Sequence, residues 1–74
     1  MIDLKDKETK IAVGAKIRTL RFESGMTLKD FGRLFDTSGS IVWRWENGIS
    51  LPNPKRLKEI AEFAGITVQY LLEG

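Results

Sequence analysis

The chain has 74 residues, twelve Lys and Arg against ten Asp and Glu for a net charge of +2, and neither Cys nor His. So short a chain makes one small domain without disulfides or thiolate metal sites, and it lacks the side chain that most often serves as general base, zinc ligand or pH switch. No apolar run approaches the roughly 18 residues of a membrane span, and "MIDLKDKETK" has no apolar signal-peptide core, so a soluble, cytoplasmic protein is expected.

Charge is spread unevenly. Residues 1–8 carry two basic and three acidic side chains, a net −1; residues 9–58 carry ten and four, a net +6; residues 59–74 carry none and three, a net −3. A basic middle beside an acidic end fits either a face prepared for a polyanion or a mixed, solvated surface. Apolar periodicity is helical throughout, and no stretch alternates as a strand does, so the fold class is all-α.

Residues 1–8 are expected to form a charged N-terminal arm, with one helical domain over residues 9–74. The first helix is predicted from about Thr9 to Ser24, ending at Gly25, with Val13, Ile17, Leu20 and Ile11 as its apolar stripe. Thr27 is a good N-cap for the second, and Asp30 three residues on makes a variant capping box. Leu28, Phe31, Leu34 and Phe35 supply its apolar surface. Gly32 lies where a neighbouring helix must pass closely, and Asp36 offers the left-handed residue of a tight turn.

Ser38 caps a third helix that runs to Asn47, with Gly48 as its left-handed terminator. At about 100° per residue, Ser38, Ile41, Trp45 and Glu46 share the inward side with Val42. Ser40, Trp43, Arg44 and Asn47 cluster outward, with Gly39 at the flank. The two tryptophans therefore separate, Trp45 into the core and Trp43 to the surface.

"ISLPNP" is a stiffened loop, and Asn53 followed by Pro54 starts a fourth helix with Leu57, Ile60, Ala61 and Ala64 on its buried side. Gly65 ends it, and Thr67 caps a brief fifth helix carrying Val68, Leu71 and Leu72. Short helices with sharp connections make a compact orthogonal bundle, and two of them joined by a tight turn are what a helix-turn-helix requires.

"VGAKIRTLRFESGMTLKDFGRLFDTSGSIVWRWENG" followed by "PKRLKEIAEFAGITVQYLL" resembles the lambda repressor-like domain of the Cro/CI (XRE) family over roughly residues 11 to 72. The telling pieces are Leu20–Arg21, "GMT" before the second helix, "RWENG" at Arg44–Gly48 and the spacing of Leu57, Ile60, Ala61, Ala64, Gly65 and Ile66. The resemblance implies a five-helix bundle that binds double-stranded DNA as a transcription regulator, acting as a repressor, with the third helix in the major groove. It implies base contacts from Gly39, Ser40 and Arg44; with the third helix so placed, Trp43 on the same outward face either joins them at a thymine methyl or sugar, or leans over Leu28. Phosphate contacts are implied from Thr27, Leu28, Asn47, Lys55 and the loop that holds Ser50, while Lys29, Arg33 and Arg56 are either further phosphate partners or solvated. Arg21 and Glu46 match a structural ion pair. Leu28 stands where many members carry Gln, and Gly39 where they often carry a polar reader, so base readout would rest on fewer side chains.

Phe63, Val68 and Tyr70 are candidates for a homodimer contact, with core satellites as the alternative. A domain of this kind would bind DNA weakly alone, so either pairing on DNA or a longer parent protein is expected. Lys16 and Arg18 read as solvated surface, and Glu59 with Glu62 as a solvated acidic face rather than a catalytic pair. No cofactor, metal or enzymatic activity is expected. The competing function is a protein-interaction module, such as an antitoxin or adaptor, in which the acidic end and Phe63 with Tyr70 meet a protein partner.

Overall fold

The structure, a computed structural model, describes residues 6–73. They form five helices, α1 (Lys7–Glu23), α2 (Leu28–Leu34), α3 (Gly39–Glu46), α4 (Pro54–Ala64) and α5 (Val68–Glu73), within 33 × 24 × 20 Å. The caps explain the boundaries. Thr27 Oγ1 accepts from Asp30 N (3.1 Å), Ser38 Oγ from Ile41 N (3.2 Å) and Asn53 Oδ1 from Arg56 N (2.9 Å). Each satisfies a first-turn N–H that has no acceptor within its helix. Gly25, Gly48 and Gly65 take positive φ after α1, α3 and α4. Thr67 Oγ1 accepts from Tyr70 N (2.9 Å) at the start of α5.

Helix α1 begins two residues before the expected Thr9, because the Asp6 carboxylate accepts from Glu8 N (3.1 Å) and caps it there. Of the charged arm, residues 1–5 lie outside the described residues. Ile11 is not part of the buried stripe. It is 51% exposed, since it sits two residues before Val13 and points away from that side of the helix. Leu34, expected on the apolar face of α2, is also largely exposed.

The core gathers one stripe from each helix: Val13 and Ile17 of α1, Phe31 and Phe35 around the end of α2, Val42 and Trp45 of α3, Leu57, Ile60 and Ala61 of α4, and Leu71 of α5. Phe31 and Phe35 meet edge to face at 5.0 Å, and both receive the ring of Phe63 at 6.0 Å. Helix α3 packs against both α1 and α2, while α5 packs against α1 and α4.

Two glycines set how closely the elements approach α3. A Cβ at Gly32 would lie 2.8 Å from Thr37 O and 2.9 Å from Ser38 C, so α2 passes directly against the turn that starts α3. A Cβ at Gly14 would collide with Trp45 O and stand 2.9 Å from Glu46 O, so α1 passes against the end of α3. Helix α3 is thus seated at both ends by backbone-to-backbone packing. Asp36 takes φ 57° between α2 and α3, the left-handed conformation expected of it and the only such non-glycine among the described residues.

Candidate nucleic-acid interface

Helix α3 divides into two faces. Val42, Trp45 and Glu46 are buried, whereas Ser40, Trp43, Arg44 and Asn47 are exposed. Trp45 is 2% exposed and Trp43 50%, so the tryptophans part as their helical phase requires. Arg44 has no ion-pair partner among the described residues. The Asn47 side chain folds back, its Nδ2 donating to Trp43 O at 2.8 Å, a second bond to a carbonyl that already accepts from Asn47 N at 3.0 Å.

The buried Glu46 fixes the helix in place. Its carboxylate accepts from Arg21 through Nε (2.6 Å to Oε2) and Nη2 (3.0 Å to Oε1), a two-pronged pair. Arg21 Nη1 also donates to Met26 O at 3.1 Å, so one guanidinium holds the end of α1, the α1–α2 loop and the end of α3 together. Hydrogen bonding to Glu46 raises the Arg21 pKa above its ordinary value, with burial opposing and the Glu46 charge assisting. A raised pKa contributes stability below the unfolded value and loses it only as pH rises past the folded one. That window lies in strongly alkaline solution, so this guanidinium gives no pH dependence near neutrality.

The second prong of the site is the start of α2. Thr27 Oγ1 accepts the cap bond and keeps its O–H proton to donate, and Lys29 is exposed. Leu28 is half-buried against the core, so it offers a ligand only its backbone N–H, not its side chain. Gly39, where a polar reader is often found, has a packing reason for lacking a side chain. A Cβ there would lie 3.0 Å from Lys29 N and 3.2 Å from Leu28 C, tight against the backbone of α2. Ser50 is half-buried in the loop after α3, and Lys55 is exposed in the first turn of α4.

Three basic side chains do something the sequence did not suggest. Arg56, expected as a phosphate partner, instead donates Nε to Phe35 O (3.2 Å) and Nη2 to Asp36 O (3.1 Å), bracing the α2–α3 turn from α4. Arg18, expected to be solvated, places Nε 3.4 Å from Glu46 Oε1; it is one turn from Arg21, and that i, i+3 spacing was the available signal. Lys16 Nζ donates to Tyr70 O and Leu71 O, both at 3.1 Å, and covers the carbonyl end of α5. The dimer candidates do not share one environment. Phe63 turns toward α2, Val68 is half-buried against the core, and Tyr70 is 55% exposed beside Lys16.

Residues 17–71 match the family model of the helix-turn-helix, HTH_3. The chain belongs to this Cro/CI-type (XRE) helix-turn-helix family. Neither curated proteins nor solved structures give a match. Family membership makes the bundle a DNA-binding helix-turn-helix domain of the kind used in transcription regulation, with α2 and α3 as the two helices of the motif. Among the described residues, no helix is long and apolar enough to cross a membrane.

Proposed function

We propose that this protein is a sequence-specific transcription regulator, a repressor, that binds double-stranded DNA as a dimer on a pseudo-palindrome. Helix α3 lies in the major groove of each half-site, the half-sites about one helical turn apart. The observation that carries this reading is the division of labour on α3. Its inner face is fully used in packing, while Arg44 stands exposed on the outer face without an acidic partner among the described residues.

Arg44 reads guanine through its forked donors, and Ser40 and Trp43 flank it on the same face. Thr27, the N–H groups of Leu28 and Lys29, and the side chains of Lys29, Ser50 and Lys55 meet phosphates on either side. Asn47 joins them with the amide proton not given to Trp43 O. Gly39 contributes close approach rather than a side chain. Copies meet through Phe63, Val68 and Tyr70, of which Tyr70 is the most open. Binding rather than catalysis is the activity.

Selection from random duplexes, followed by affinity measurement across salt and sizing of the complex, tests this. The expected result is one enriched half-site motif, two protomers per duplex and affinity falling steeply with salt. Arg44→Ala should weaken the selected site about 5- to 150-fold while leaving the melting temperature unchanged. Equal affinity of the variant for the selected site would remove Arg44 from base recognition.

A further inference from the structure

We infer that Trp43 determines specificity by packing its indole on the C5 methyl group of a thymine beside the guanine read by Arg44. The inference rests on the proposed placement of α3 in the major groove. Trp43 is 50% exposed in the middle of the outward stripe of α3. It follows Gly39 by one turn and lies about 40° around the helix from it, on the side that abuts the start of α2. Half of the Trp43 surface is open to solvent.

Its neighbours leave it prominent. Gly39 and Ser40, one turn before, carry at most a hydroxyl, and Asn47, one turn after, is folded onto Trp43 O. The indole is the tallest group on that half of the stripe. Its chemistry narrows the partner: a single N–H donor, no acceptor and a wide apolar face. The major-groove edges of the bases otherwise present hydrogen-bond donors and acceptors, and the thymine methyl is the apolar group among them. An aromatic face held toward that groove is matched best by the methyl, the largest apolar group on a major-groove base edge.

The test uses the full chain and the site enriched from random duplexes. Each thymine of that site is replaced singly by deoxyuridine, which removes only the methyl group. At one thymine adjacent to the guanine, binding by the wild type should fall about fourfold, the effect of uncovering one methyl group. Trp43→Ala should bind more weakly and show no difference between thymine and deoxyuridine there, while Trp43→Phe should keep part of it. Deoxyuridine without effect at every position, or an equal effect in Trp43→Ala, would overturn the inference and assign the ring to sugar packing, with DNA recognition by α3 intact. The deoxyuridine series on the wild type shows whether a methyl group is read at all, and the milder Trp43→Phe, with a smaller methyl effect than the wild type, assigns that reading to Trp43 should Trp43→Ala fail to fold. If no sequence is enriched at all, the underlying reading of the protein as a sequence-specific binder fails instead.

Discussion

Replacing Gly32 by Ala sets two effects of opposite sign against each other. In a helix interior, Ala is favoured over Gly by about 1 kcal/mol, so an unconstrained site would gain stability. At Gly32 the added Cβ would lie 2.8 Å from Thr37 O and 2.9 Å from both Ser38 C and Ser38 O. These are backbone atoms, and they are pinned. Thr37 N donates to Gly32 O at 2.9 Å, Asp36 before it is left-handed, and Ser38 is committed to capping α3. No flexible side chain can yield. Overpacking against a fixed surface costs about 1–3 kcal/mol, and a backbone neighbour puts Gly32 at the upper end. Clash beats propensity, and the net loss is about 2 kcal/mol. For a domain of this size that lowers the melting temperature by about 8–16 °C. Thermal unfolding followed by far-UV circular dichroism reads it. The exposed Ala12→Gly in α1 calibrates the propensity contribution in the same protein, with an expected loss of about 1 kcal/mol. A Gly32→Ala variant that melts at or above wild type would show that α2 does not pass the turn as closely as the geometry states.

Other perturbations separate structural from DNA-facing charges. Glu46→Ala strands the Arg21 guanidinium, whose side chain is only 12% exposed, and should cost about 3 kcal/mol in denaturant unfolding. Adding Arg21→Met should restore part of that loss; a double variant as unstable as the sum of the two single ones would mean the groups act independently. Arg56→Ala should lower stability by about 1–2 kcal/mol through two lost carbonyl contacts. Lys55→Ala should leave melting unchanged and reduce the slope of log affinity against log salt by about one, measured by fluorescence anisotropy.

What was legible in the chain was local. A cap is written in one or two residues, so Thr27, Ser38 and Asn53 with Pro54 placed the starts of three helices, and Gly65 placed an end. The faces of α3 were equally legible, because eight residues at fixed angular steps leave no freedom once Val42 is inside. Phase alone put Trp45 in the core and Trp43 outside it. The start of α1 was misjudged because Asp6, lying in a run of charges, is an equally good cap that apolar periodicity does not mark. Contacts between elements were less legible. Lys16, Arg18 and Arg56 look alike in sequence, yet one covers carbonyls of α5, one reaches Glu46 and one braces the α2–α3 turn. Their partners lie 20 to 55 positions away, and a long basic side chain records nothing of which carbonyl it will meet. Gly14 carried the same signal as Gly32, a glycine inside a helical run, but only the seating of α1 against the end of α3 reveals its use. These distant contacts converge on α3 and its approach. Gly14, Arg21 and Arg18 hold its end, and Gly32 and Arg56 hold the turn before it. A helix of eight residues has too few turns to be stable by itself, so its rigidity is supplied by its neighbours. The basic residues that support it are therefore distinct from those proposed to meet DNA, and a count of positive charge cannot tell the two groups apart.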